Sequence, residues 1–188
     1  KQPTRISSLL CRSSTYRLVV PKTASYYIAA YPSELDRTQQ MTLFFRSAAD
    51  RDMATVLLNS GFFFWLWRVY GDSFHVTNNW IGICPVIKTD DETYRELAAK
   101  MRRALDSCTV YKSYKGVDVP NINFNKRMDL IWIVDEWIIK NVAPHLGVTP
   151  DDFFWAKSNS FLKLKIPKSA SFPCGFEYVA GGEDEANE

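Results

Sequence analysis

The stretch Ala48–Thr77, AADRDMATVLLNSGFFFWLWRVYGDSFHVT, decides the fold. Met53, Val56, Leu57, Ser60, Phe64 and Trp67 recur at three- and four-residue spacing, the signature of an amphipathic helix. From Phe62 to Trp67 every residue is large and apolar, so this half of the segment is greasy all round and must be enclosed by protein. Asn59, Ser60 and Gly61 are poor helix formers and interrupt it, which predicts a point where another element packs closely. At the far end Gly71 is placed to be a left-handed C-cap. The exit, Arg68 to Thr77, gathers charged, aromatic and hydroxyl side chains behind a rigid helix.

Working outward, the 188 residues suffice for one domain with a real core. Before the central helix, Tyr16–Val20, Ala24–Tyr31 and Met41–Arg46 read as strands of a small antiparallel sheet, punctuated by Pro21 and Pro32. After it, Tyr94, Leu97, Ala98, Met101, Ala104 and Leu105 form the apolar stripe of a second helix. Asp90, Asp91 and Glu92 stand at its start, where the helix dipole favours acids, and Glu96 is spaced to pair with Lys100. Residues 110–119 read as a hairpin turning near Lys115-Gly116, and a long helix follows from about Arg127 to Val142. Thr149-Pro150-Asp151-Asp152 has the chemistry of a further helix start, and Phe172–Tyr178 reads as a last strand. The fold class is α+β: a small, mostly antiparallel sheet around a central hydrophobic helix, with additional amphipathic helices. Residues 1–14 read as a linker or a packed-down lead-in, 15–180 as the domain, and 181–188 as an acidic disordered tail.

Composition narrows the chemistry. No run approaches the length of a membrane span, and the start has no secretory leader pattern. The chain does not begin with Met, which fits a piece of a longer polypeptide. Cys11, Cys84, Cys108 and Cys174 form no CxxC pair, and His75 and His145 have no ligand at metal spacing, so reduced cytoplasmic thiols and no metal are expected. Setting aside the tail acids Glu183, Asp184, Glu185 and Glu188, twenty-three basic residues face seventeen acids, a moderately basic body compatible with nucleic acid. There is no Gly-rich phosphate loop, nucleophile elbow or Cys–His arrangement. Catalysis is therefore not expected of this chain by itself.

The run Leu57–Thr77 resembles a segment in the C-terminal target recognition domain of N6-adenine-specific DNA methyltransferases of restriction-modification systems, of the TaqI-like and fused methylase–restriction kinds. Tyr31-Pro32-Ser33, Thr42–Phe45, Pro85-Val86 and Val119–Arg127 fit the same pattern, which covers most of residues 25–165. The resemblance implies a specificity part only. The family's Asn-Pro-Pro-aromatic motif is missing, so S-adenosylmethionine and methyl transfer would belong to a catalytic domain of the same prokaryotic, cytoplasmic parent. It implies double-stranded DNA as partner. Lys and Arg would hold phosphates, while Asn, Lys and Arg on loops would read base edges.

The residues in position for this are Asn121, Asn123, Asn125, Lys126 and Arg127 first, then Asn78 and Asn79, Lys112, Tyr114 and Lys115, and finally Arg68, Tyr70 and Ser73. Each has a structural alternative: an Asn-rich turn or cap, a packed Tyr, a snorkelling Arg. Two other functions stay open. A protein–protein interaction module without DNA binding would expose several aromatics. A metal-dependent nuclease would assemble acids distant in sequence.

Overall fold

A computed structural model describes residues 4–24, 28–37, 39–72, 74–86 and 89–147 of the chain. Expectations for Thr149–Asp152, Phe172–Tyr178, Cys174 and the acidic tail lie outside the described residues. The architecture is α+β. Among the described residues, five helices, α1 Ala48–Leu58, α2 Gly61–Tyr70, α3 Asn78–Ile83, α4 Thr93–Ser107 and α5 Met128–Asn141, are joined to three small antiparallel sheets. The sheets pair β1 (Thr4–Arg5) with β5 (Pro85–Val86), β2 (Leu10–Cys11) and β3 (Arg17–Pro21) with β4 (Gln40–Phe45), and β6 (Thr109–Tyr114) with β7 (Val117–Ile122).

The predicted central helix is two helices. Asn59 and Ser60 break it, and both side chains are used at the break. Ser60 Oγ accepts from the Phe63 amide at 3.0 Å and so caps α2, as Ser47 caps α1. Asn59 holds the backbone of Ala30 from both sides: its Oδ1 accepts from the Ala30 amide at 3.0 Å, and its Nδ2 donates to the Ala30 carbonyl at 2.9 Å. Across the core, Asp135 of α5 accepts from the Phe62 amide in the first turn of α2. Amides at a helix start have no partner within the helix, so each buried one must find a partner elsewhere. Ser60 and Asp135 meet that need for the Phe63 and Phe62 amides, while Asn59 serves the buried backbone of Ala30.

Around this junction Phe63, Phe64 and Trp67 are fully enclosed. The stripe Tyr94, Leu97, Ala98, Met101, Ala104 and Leu105 is buried as its spacing predicts, with α4 packed on α1. Burying each large side chain contributes on the order of 1.5–3 kcal/mol. One charged contact crosses α1 and α4: buried Asp52 pairs with Arg51 and with Arg102. Arg102 is therefore turned inward. The expected Glu96–Lys100 pair does not form among the described residues; Arg95 bonds Glu92 instead.

Two expectations differ in detail. Gly71 caps α2, but with φ −92° and ψ −177°, an extended conformation that any residue adopts. What makes glycine suitable here is space: a Cβ would lie 2.5 Å from the Trp67 carbonyl oxygen. The segment expected as a strand over Ala24–Tyr31 is irregular where described, with only Tyr31 bridging Val19. Asn59 supplies partners to Ala30 there that a sheet would otherwise supply. The lead-in is packed: β1 and β2 flank a 3-10 turn, Ile6–Leu9, whose Ile6 is fully buried. Around Pro85 lie the short helix α3 and the strand β5.

A candidate nucleic-acid interface

The β6–β7 hairpin ends in a two-residue turn. Lys115 and Gly116 both have positive φ, 52° and 79°, the backbone of a type I′ turn whose twist matches the strands. Glycine adopts this freely; a lysine in the left-handed region is disfavoured by about 1–2 kcal/mol. Direct pairing places Tyr111 with Pro120 and Ser113 with Asp118 on one face, and Lys112 with Val119 and Tyr114 with Val117 on the other. From Tyr111 to Asp118 both faces are exposed. Tyr111, Tyr114 and Val117 keep 70, 66 and 65% of their surface in solvent, well beyond what packing would leave. The Lys115 ammonium lies 5.5 Å from the Tyr114 ring centroid, within cation–π range. The face of Lys112, Tyr114 and Val117 bears no acid; Asp118 lies on the other.

At its base the hairpin is fixed. The Asn123 amide donates to the Cys108 carbonyl at 2.9 Å. Arg37 Nη1 donates to Asn121 Oδ1 at 2.9 Å, joining the β3–β4 connection to β7, and Asn121 Nδ2 donates to the Val119 carbonyl. Asn121 thus acts as a strut with both ends of its amide engaged. Arg127 donates from Nε and Nη2 to both oxygens of Asp129, at 2.9 and 2.8 Å, and these bonds hold the Asp129 carboxyl below its ordinary range. A bidentate carboxylate occupies the fork that would otherwise receive a phosphate or guanine. Asn123 and Lys126 are exposed beside them, and the Asn125 side chain lies outside the described residues.

The third group lies at the α2 exit. Arg68 is half-buried, Tyr70 is exposed, and Ser73 lies outside the described residues. Trp67 Nε1 donates to the His75 carbonyl at 2.8 Å, pinning the exit turn onto the core. Asp72 organises that turn: its carboxylate accepts from the His75 ring and from the amides of Phe74 and His75. These bonds, the His75 ring first, pull its pKa down to about 2. Val69, Tyr70 and Phe74 leave an exposed apolar patch around it. Asn78 and Asn79 are exposed in the first turn of α3. Among the described residues, no hydrogen bond or ion pair joins this exit to the hairpin. The residues picked out by sequence therefore fall into separate groups: hairpin tip, hairpin base and α2 exit.

Sequence reasoning passed over Tyr111 and Val117, the hairpin's other exposed large side chains, which a packed hairpin would have buried. It also passed over a charge division. Residues 1–47 hold seven Lys and Arg against two acids, Glu34 and Asp36, whereas residues 48–147 hold twelve against twelve. The basic excess lies in the N-terminal segment.

Burial pushes the Cys84 thiol up and makes it a poor nucleophile. Among the described residues no cluster of three or more His, Cys, Asp or Glu is arranged to hold a metal, and no helix is long and apolar enough to cross a membrane. Comparison with protein-family models, curated proteins and solved structures gives no match to this chain.

Proposed function

We propose that this chain is a double-stranded DNA recognition module, and that any methyl transfer belongs to a separate catalytic domain of the same parent. The observation that carries the reading is the outer hairpin, exposed on both faces and bearing Lys112, Tyr114 and Lys115 together. A two-stranded ribbon fits the major groove of B-DNA, about 12 Å wide, where lysine reads guanine or holds phosphate. Strands of six residues reach about 20 Å, more than the groove's depth of about 8.5 Å. Lys115 supports the reading further: it accepts an unfavourable backbone conformation at the tip, where Asn or Gly would fit the turn better. The sequence resemblance to target recognition domains of adenine-specific methyltransferases points the same way.

Fluorescence anisotropy with duplex DNA, titrated between roughly 50 and 200 mM salt, tests it. Binding that weakens with salt, and is reduced in Lys112→Ser/Lys115→Ser, is the expected result. Equal binding by the double variant would overturn the assignment to the hairpin. Failure of the native chain to bind duplex DNA at the lowest salt would overturn the DNA reading.

A protein contact is favoured by a different observation, the exposed patch of Val69, Tyr70 and Phe74 at the α2 exit. In a methyltransferase parent this patch would pack against the catalytic domain. Tyr70→Ser/Phe74→Ser is expected to leave DNA binding by this chain unchanged while weakening its association with that domain.

A further inference from the structure

Five arginines of this chain are engaged by partners, while Arg5, Arg68 and Arg103 take part in no ion pair among the described residues. Arg51 and Arg102 share Asp52, Arg95 pairs with Glu92, Arg127 is matched by Asp129, and Arg37 is tied to Asn121. Arg12, Arg17 and Arg46 are all exposed, and among the described residues none has a carboxylate within ion-pair distance. Strand register sets Arg17 and Arg46 near the same end of the sheet, and Arg12 lies in the bend that follows β2. Phe44 of β4 stands between Cys11 of β2 and Arg17 of β3, so Arg17 and Cys11 are two strand spacings, about 10 Å, apart. Arg12 follows Cys11, and Arg46 lies two residues beyond Phe44, its amide bonded to the Leu9 carbonyl. The acids nearest to them along the same elements are both occupied or offset. Glu34 meets the Thr42 hydroxyl, two residues further down β4, and Asp50 sits within the first turn of α1.

Three exposed guanidinium groups outside any ion pair give this end of the sheet a positive character. A polyanion complements it. We infer that Arg12, Arg17 and Arg46 form a phosphate-holding surface for the backbone of duplex DNA, separate from the hairpin. The inference rests on the DNA-recognition reading and deepens it by assigning backbone contact and base contact to different elements. Phosphate contacts supply affinity and register without sequence information, whereas a groove-entering ribbon supplies selectivity. The two elements are mechanically linked. Arg17 lies at one end of β3, and at the other end the β3–β4 connection carries Arg37, which grips the hairpin base at Asn121. A duplex held by the arginine cluster is thus held in fixed register to the hairpin.

The test compares the native chain, Arg12→Ser/Arg17→Ser/Arg46→Ser, and the corresponding triple Lys variant, using duplexes of random and of selected sequence across salt. Losing three phosphate contacts lowers the log–log salt slope by about 2.7. The fall in affinity between 50 and 200 mM salt then becomes about 40-fold smaller than in the native chain. The loss falls equally on every sequence, and the Lys variant keeps the slope. A native chain that binds DNA while the Ser variant retains the native slope would overturn the arginine assignment and leave the DNA reading standing. Absence of duplex binding by the native chain overturns both. Arginine-dependent binding to anionic vesicles of phosphatidylserine, without binding to DNA, would also overturn the inference. All three side chains are exposed, so the Ser variant should melt with the native chain, and circular dichroism checks this.

Discussion

In α2, Phe63, Phe64 and Trp67 are almost wholly shielded from solvent, whereas in the hairpin Tyr111, Tyr114 and Val117 keep about two thirds of their surface exposed. Both stretches are rich in large apolar side chains. In the first, packing against α1 and α5 accounts for them completely. In the second, packing accounts for none of them, since the outer hairpin is one ribbon with solvent on both sides. A two-stranded hairpin is at best marginally stable by itself. A chain that keeps aromatics and a strained lysine on such an element gains little in stability from them. The comparison therefore separates residues that build the molecule from residues available to a partner, and substitutions in the two regions should behave in opposite ways.

The largest effect is expected at the helix break. Asn59→Ala removes both bonds to the Ala30 backbone and leaves a buried amide and carbonyl unpaired. At 1–3 kcal/mol for each such group the expected loss is about 3 kcal/mol, read from urea unfolding, with DNA binding by the surviving folded fraction unchanged. A loss below about 1 kcal/mol would show that this junction does not organise the core. Gly71→Ala comes next. Its Cβ would meet the Trp67 carbonyl, so the end of α2 must shift, at a cost of about 1–3 kcal/mol. A native Trp emission spectrum and melting temperature would contradict the close approach.

Across the comparison, the sign reverses. Lys115→Asn suits the left-handed position and should stabilise the chain by up to about 1 kcal/mol. The same substitution should weaken duplex binding and reduce its salt slope by about 1. Destabilisation, or unchanged DNA affinity, would place Lys115 among the structural residues. Tyr114→Ser should move stability by no more than about 0.5 kcal/mol while weakening binding, because its ring is exposed.

What could be read beforehand follows from the range of the interactions. The stripe of α4 and the turn at Lys115-Gly116 are local patterns, set by spacing or by two residues, and the sequence displays them openly. Asn59 was legible as a break, but its grip on Ala30 is a contact between residues 29 apart in sequence, visible only once the chain folds. Arg127 looked like a free cation because Asp129, only two residues away, did not reveal whether the two side chains would meet. Asn121 looked like a base reader because Arg37 is distant in sequence. The uneven charge of residues 1–47 lay in plain sight, but that Arg17 and Arg46 stand near the same end of a sheet required the register of β3 and β4.

The smallest expected effect sharpens the boundary between the two kinds of surface at the end of α2, where buried Trp67 gives way to exposed Tyr70 and Phe74. Asp72 holds this exit turn through the His75 ring and two backbone amides, and its carboxyl is drawn from the ordinary 3.8 to about 2. A carboxyl depressed on folding stabilises the native state above its unfolded value and loses that contribution as pH falls through its folded value. The benefit should therefore be complete above about pH 4 and vanish as pH falls below about 2. Because Asp72 is exposed, solvent screens the interaction and the effect on global stability is small. The difference in melting temperature between the native chain and Asp72→Asn should be slight but measurable near neutrality and should close across that acidic window. A midpoint for the Asp72 carboxyl near 3.8, followed by carbon NMR, would mean that the turn is not held by this side chain. The patch of Val69, Tyr70 and Phe74 would then lack the rigid platform that a docking surface needs.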